Sequence, residues 1–299
     1  RARWATHARS CAAVREVLRA RGIEHASVAR EALTSAHVDA VDLVIALGGD
    51  GTTLAAARAV GATSDAAILG VNTDPATKED LARMYLTAAR VDERRSTGHL
   101  CAANRFDAVE VVEAALDGRA RPTRLARIGT KVNGETLEYA LNDVLIAHSS
   151  PAAVSRYSVR LPSETWRRDG REGARGGADE PRFFHVRSSG IRTCTASGST
   201  AAMYSAGGEI MPLSSTKMQY MDREPIYYDH APTPSAGHGY YEREKALRLR
   251  WNSLVGTVYI DGDHVKHDIS LGDDIEMSTD APEVNLFVSE WFEQARARR

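Results

Sequence analysis

Cysteine is scarce in this 299-residue chain, and the three present (Cys11, Cys101, Cys194) are far apart. They make neither a disulfide framework nor a four-ligand zinc site, so a reducing compartment is expected. No apolar run approaches the roughly 18 residues that a membrane span needs. An excess of one charge is missing too: 38 Lys and Arg face 40 Asp and Glu. A basic field suited to nucleic acid is therefore not expected, and neither a nucleic-acid nor a membrane partner is. The chain opens at Arg1 rather than methionine, which predicts a removed leader. The expected setting is a soluble protein of the cytoplasm, with an organelle lumen as the alternative.

What is present is enough apolar residue, 43%, for a sizeable core. Length alone suggests about two domains. The first 120 residues alternate between helical and strand patterns. Residues 5–21 set Cys11, Val14 and Leu18 at helical spacing among arginines. Val41–Leu47 reads as a buried strand, Thr52–Val60 as an alanine-rich helix, and Ala66–Val71 as a second strand. Residues 106–118 read as a helix stopped by Gly118. Strand, turn, helix, strand predicts a parallel α/β sheet.

After Pro122 the pattern becomes mostly antiparallel β. The expected strands are Arg127–Val132, Tyr139–Ala147, Val154–Leu161, Phe183–Arg187, Leu247–Trp251, Thr257–Ile260, Ser270–Leu271 with Ile275–Met277, and Asn285–Val288. Asn133-Gly134 and Asp261-Gly262 punctuate them as hairpin turns. Pro162–Pro181, rich in glycine and charge, reads as a surface loop, and Tyr228–Lys245 as an irregular connector.

Three segments carry chemistry. Leu47-Gly48-Gly49-Asp50-Gly51-Thr52 falls where a buried strand meets a helix. Glycines there let a ligand approach the backbone, and a helix N-terminus offers N–H groups to phosphate. Asp50 would repel a phosphate that was merely cradled. It fits instead a carboxylate that takes the proton of an attacking hydroxyl, or that helps hold a magnesium–nucleotide complex. The plain alternative is a turn with Asp50 as helix N-cap. Asn142-Asp143 offers an amide and a carboxylate suited to an adenine edge and ribose hydroxyls, against the alternative of an Asx turn. Thr193–Ala202 gathers hydroxyls and small residues that suit ribose or phosphate, although a plain Ser/Thr-rich loop has the same composition. His264 and His267 are expected on opposite faces of a strand, so they make no metal pair. His99 is within reach of the glycine turn in sequence terms, and a structural role is the simpler expectation. The Arg296–Arg299 tail reads as a solvated helix end, and Trp291 with Phe292 as a docking helix.

Taken in order, these segments resemble the NAD kinase family, which phosphorylates the adenosine ribose 2′-hydroxyl of NAD or NADH. Gly48-Gly49-Asp50-Gly51-Thr52 matches the family's GGDGT, Asn142-Asp143 its Asn-acidic pair, and Ser197–Ala201 with Ser205–Gly208 its TGSTA…SAGG segment. Gly70–Pro75, Arg95–Cys101, Pro151–Arg156 and Arg187–Gly190 are similar to the plant-type NADH kinase branch. The resemblance implies an N-terminal α/β domain with a Rossmann-like parallel sheet over 1–120, completed by 288–299. It implies a β-rich sandwich over 121–287. It also implies magnesium-bound ATP as donor, NADH or NAD as acceptor, a preference for NADH, and a homo-oligomer, most simply a dimer. Asp50 would be the proton acceptor. Gly48, Gly49, Gly51 and Thr52 would form the phosphate turn. Asn142, Asp143, Arg187, Ser199, Thr200, Ala201 and Ser205 would contact the dinucleotide. Departures from the family pattern are Ser189 for an aspartate, Ala202 for a tyrosine, and Asp263 for a glutamine. The alternatives are a GGDGT-type lipid kinase and a dinucleotide sensor without catalysis.

Overall fold

The computed structural model describes residues 2–74, 98–161, 182–226 and 237–289. The expected loop at 162–181, the docking helix and tail beyond 289, Arg95–Thr97 and Pro75 lie outside them, as does 228–236 of the expected connector. Helices are α1 (Ala2–Ala20), α2 (Ser35–Asp39), α3 (Asp50–Ala59), α4 (Ala108–Leu116) and α5 (Ala202–Ser205). The strands run β1 (Leu43–Gly48), β2 (Ala67–Asn72), β3 (Ala103–Asn104), β4 (Thr123–Leu125), β5 (Gly129–Val132), β6 (Glu135–Thr136), β7 (Asp143–Ala147), β8 (Ser155–Leu161) and β9 (Arg182–Ser188). They continue as β10 (Ile191–Cys194), β11 (Met218–Asp222), β12 (His238–Tyr241), β13 (Leu247–Trp251), β14 (Val255–Ile260), β15 (Val265–Ser270), β16 (Asp274–Ser278) and β17 (Val284–Phe287). The chain divides into two compact units, residues 1–124 with 284–299, and residues 125–283.

The first unit is α/β. Its sheet has the order β1-β2-β17-β4, with β3 also on β2. β1, β3 and β17 all pair with β2 in parallel. β2 is covered on both faces, as a central parallel strand must be, and its Ile68, Leu69 and Val71 are fully buried. Val14 and Leu18 of α1 and Val112 of α4 pack with Leu69, Val71 and Phe287 into one apolar cluster.

The second unit is two six-stranded sheets, ordered β12-β11-β10-β7-β14-β15 and β6-β5-β16-β13-β8-β9. Alternation builds it. In β13, Leu247, Leu249 and Trp251 are buried while Arg248 and Arg250 are exposed. Inward residues of both sheets, among them Ile146, Ile191, Val258, Tyr157, Leu249 and Met277, form one core, so the unit is a sandwich. Trp251 stacks on Tyr157 with ring centroids 6.2 Å apart. A Cβ at Gly256 would come within 2.5 Å of the Trp251 indole, so that glycine leaves room for the ring.

Three local expectations are corrected. The helix after the first strand begins at Asp50, not Thr52. The connector at 228–245 contains a strand, β12, that pairs with β11. Ser270–Leu271 is not a strand of its own: Ser270 ends β15, and a turn leads into β16. Neither β11 nor β12 was expected, because Met218–Asp222 lacks clean alternation and β12 follows a Pro- and Gly-rich run.

Inside the sandwich lies Asp222, 5% exposed. It accepts hydrogen bonds from the Tyr157 hydroxyl at 2.6 Å and the Gly237 N–H at 2.9 Å. Burial raises its pKa to about 6, and those two bonds only partly offset the rise. The folded chain therefore holds a proton here between about pH 4 and 6 that the unfolded chain has released. Stability falls as pH rises through that window. Asp222→Asn lacks this titration, so its stability relative to the parent is expected to improve by about 2–3 kcal/mol between pH 4 and 7. Denaturant unfolding at both pH values reads the difference; a difference independent of pH would contradict it.

Candidate active site

In the first unit, the β1–β2 register sets Gly48 beside Asn72. The Thr73 N–H donates to the Gly48 carbonyl at 2.9 Å, closing the two strand ends together. Gly49 then caps α3, its carbonyl accepting from the N–H groups of Thr52 at 2.9 Å and Thr53 at 3.2 Å. A Cβ at Gly48 would lie 2.1 Å from the Thr52 hydroxyl oxygen, so the turn admits no side chain there. Gly51 is exposed, with only Arg30 Nη1, at 3.8 Å, near its Cβ direction. Thr52 is half-buried.

Asp50 does not cap its helix, which corrects the N-cap alternative. Its carboxylate instead meets the backbone of residues 99 and 100. Oδ1 accepts from the Leu100 N–H at 2.8 Å, and Oδ2 from the His99 N–H at 3.2 Å. Gly98 enters this segment with φ +73°, and a Cβ there would fall 2.5 Å from Asn72 Nδ2. His99 thus reaches Asp50 through its backbone N–H. Cys101 is buried, and burial first, then the Asp50 charge, pushes its thiol up to about 12. It stays a neutral thiol beside the carboxylate. On the other side, His7 of α1 shares a 3.0 Å hydrogen bond with the Thr73 hydroxyl. Nothing in the sequence flagged His7, because this contact spans 66 residues.

In the second unit, Asn142 immediately precedes β7 and Asp143 opens it. The Asn142 side-chain oxygen accepts from the Ser197 hydroxyl at 3.2 Å, and its carbonyl from the Thr195 N–H at 3.0 Å. Gly198 lies against this backbone so closely that a Cβ would sit 2.1 Å from the Asn142 carbonyl oxygen. The two sequence segments expected to act together therefore touch. Asp143 forms an ion pair with Arg192 of β10, both side chains about one-seventh exposed. Burial raises the Asp143 pKa, and the guanidinium pulls it back only in part. Arg192 was not singled out from the sequence; the signal available was a lone charged residue two positions before Cys194.

The remaining residues divide. Ser199 is fully buried, and its hydroxyl donates to the Ala196 carbonyl at 2.7 Å and accepts from the Met211 N–H at 2.9 Å. Those bonds hold the 3₁₀ turn Ser197–Thr200 together. Thr200 is half-buried, while Ala201 and Ser205 are exposed, with the Ser205 N–H on the Ala201 carbonyl at 3.3 Å. Arg187 is exposed on β9, in the other sheet, opposite Arg156. His267 pairs with Glu138 at 2.6 Å, and among the described residues no cluster of His, Cys, Asp and Glu could hold a metal ion.

A parallel α/β unit whose first strand ends in a Gly-Gly-Asp-Gly turn, in a chain with a β-sandwich whose Asn-Asp pair contacts a Ser-Gly-Ser turn, fits the pattern of a nucleotide-handling phosphotransferase. Comparison with known proteins agrees. Residues 7–92 match the ATP-NAD kinase N-terminal domain. A probable NADH kinase of Oryza sativa subsp. japonica is 41% identical over 92% of this chain and 79% of its own length. The NADH kinase of Arabidopsis thaliana is 40% identical over 95% and 84%. Among solved structures, an NAD kinase from Archaeoglobus fulgidus in complex with ATP has a TM-score of 0.67 at 16% identity, over 94% of this chain and 90% of that one. Yeast NADH kinase complexed with NADH gives 0.61 at 16% identity, over 86% and 64%. The chain belongs to the NAD kinase family. That membership sets the lipid-kinase alternative aside.

The close approach at Gly198 is testable. Gly198→Ala forces a methyl group into the Asn142 backbone and is expected to cost about 1–3 kcal/mol of stability. Gly61→Ala, whose nearest atom would be 3.9 Å away, is expected to change stability by less than about 0.5 kcal/mol. Equal stability of the two variants in denaturant unfolding would contradict the packing described.

Proposed function

We propose that this protein transfers the γ-phosphoryl group of magnesium-bound ATP to the adenosine ribose 2′-hydroxyl of NADH, and more slowly to that of NAD. The products are NADPH or NADP and ADP. The observation that carries the reading is the Asp50 carboxylate. It is fixed at the end of a parallel strand by two backbone N–H groups, in a turn that excludes side chains. A carboxylate oxygen can accept more than one hydrogen bond, so a bound hydroxyl can add to those of the backbone. In the proposed step the ribose oxygen forms a bond to the γ-phosphorus while its proton passes to Asp50. The bond between that phosphorus and the β,γ-bridging oxygen breaks, and ADP leaves with the electron pair. The Gly48–Thr52 turn at the start of α3 supplies backbone N–H groups to phosphate oxygens.

On the sandwich, Asn142, Asp143, Thr200, Ala201 and Ser205 contact the dinucleotide in this reading, with Arg187 beside a phosphate. Ser199 shapes the turn rather than touching the ligand, since its hydroxyl already has two internal partners. Magnesium enters as part of the donor. The preference for NADH rests on the plant NADH kinases, which align over most of the chain. A homodimer is proposed from the same family likeness, and light scattering of the purified chain reads it. Among the described residues no helix is long and apolar enough to cross a membrane.

Asp50→Asn is expected to lower turnover by about two to four orders of magnitude while the NADH dissociation constant stays within about threefold. Turnover near that of the parent would remove Asp50 from the chemistry. Asn142→Ala is expected to weaken NADH binding about tenfold, read by calorimetry. An unchanged dissociation constant would remove Asn142 from the binding site.

A further inference from the structure

Asp261 stands outside everything assigned so far. It follows β14, which pairs antiparallel with β7 up to the Ile260–Val144 pair. The sequence marks it only as half of an Asp-Gly turn. In the structure it is 7% exposed, and its carboxylate points back at the start of β7. Oδ2 accepts from the Leu141 N–H at 3.0 Å. Oδ1 accepts from the Asn142 N–H at 2.7 Å and the Asp143 N–H at 3.2 Å. The Asp261 N–H in turn donates to the Asp143 carbonyl at 2.9 Å. Three consecutive N–H groups converging on one anion form a nest around it. Charge-assisted bonds of this kind are about twice as strong as neutral ones. A buried cation accompanies them: Arg127 is fully buried, interacts electrostatically with Asp261, and donates from Nε to the Pro282 carbonyl at 2.6 Å.

The backbone of Asn142 is thus gripped at both its N–H and its carbonyl. Asp261 holds its N–H. The Thr195 N–H and the close face of Gly198 hold its carbonyl. Little freedom remains to the backbone that aims the Asn142 and Asp143 side chains. The grip ends at these residues, and the chain beyond them is ordinary β-ladder.

We infer that Asp261 is a positioning residue for dinucleotide binding: it touches no substrate and acts by fixing the backbone of residues 141–143. The inference rests on the proposed role of Asn142 and Asp143 above. It goes beyond that role by assigning their orientation to one carboxylate in a remote turn.

Asp261→Asn isolates the carboxylate. Asp261 has φ +50°, a conformation that asparagine tolerates well, so the turn is preserved. The new amide keeps one acceptor oxygen and turns an NH2 group toward N–H donors. The NADH dissociation constant, measured by calorimetry on the full chain, is expected to rise about tenfold. The KM for NADH is expected to rise in parallel, with kcat and the KM for ATP within about twofold. In an Asn142→Ala background the same substitution is expected to raise the dissociation constant by less than about threefold, because the side chain it positions is gone. Equal effects in the two backgrounds would overturn the inference, as would an unchanged dissociation constant or a loss confined to kcat. A variant that fails to fold would make Asp261 a structural residue of the sandwich and overturn it as well. If the parent binds NADH but phosphorylates neither NADH nor NAD, the proposed function fails while the binding comparison still decides the role of Asp261. If the parent does not bind NADH, both fail.

Discussion

The first unit is organised around one pair of hydrogen bonds. The N–H groups of Leu100 and His99 converge on the carboxylate of Asp50, about 50 residues away in sequence. For those bonds to form, β1 and β2 must end level, which the Gly48–Asn72 register and the bond from Thr73 secure. The segment carrying residues 98–101 must also lie flat against Asn72, which only a residue without Cβ at position 98 permits. The buried faces of β2, α1 and α4 provide the rigid support. A carboxylate held by two backbone N–H groups in this way has a defined direction. A defined direction is what the proposed proton acceptor needs.

The second unit holds its carboxylates in two ways. Asp143 is paired with Arg192 and Asp261 is ringed by backbone N–H groups, so each of these two carboxylates is committed to local partners. Two carboxylates, two environments, two kinds of work: Asp143 and Arg192 present a nearly neutral, rigid pair, and Asp261 holds the chain that displays it. The sandwich core makes this rigidity affordable, because the strands that carry Asn142 and Arg192 are anchored by fully buried Val144, Ile146 and Ile191.

Much of this was legible in the sequence where the pattern is local. Alternation in Leu247–Trp251 reproduces β13 residue for residue, since period-two burial is a direct imprint of the pleat. The apolar run before Gly48 and the alanine-rich stretch after it placed the glycine turn between a strand and a helix, and the α/β and β-rich halves followed. The three chemistry-bearing segments and the family resemblance were also readable, because glycine, small residues and carboxylates in fixed order have few other uses. What was not readable depends on contacts distant in sequence. The sequence read Asp50 as a working carboxylate, with an N-cap as the alternative, but its partners at 99 and 100 are supplied by the fold. Arg192 was not singled out, and Asp261 read as half of an Asp-Gly turn, for the same reason. β11 and β12 escaped because Met218–Asp222 does not alternate cleanly and β12 follows a Pro- and Gly-rich run.

The most direct measurement is product formation by the purified chain from NADH and, separately, from NAD, each with magnesium-bound ATP. Chromatography must resolve the products, because absorbance does not separate NADH from NADPH. Phosphorylation of both at the adenosine ribose 2′-hydroxyl, with NADH the faster, is the expected result. Absence of phosphorylated product from either dinucleotide, with both bound, would contradict it and leave a dinucleotide sensor in its place.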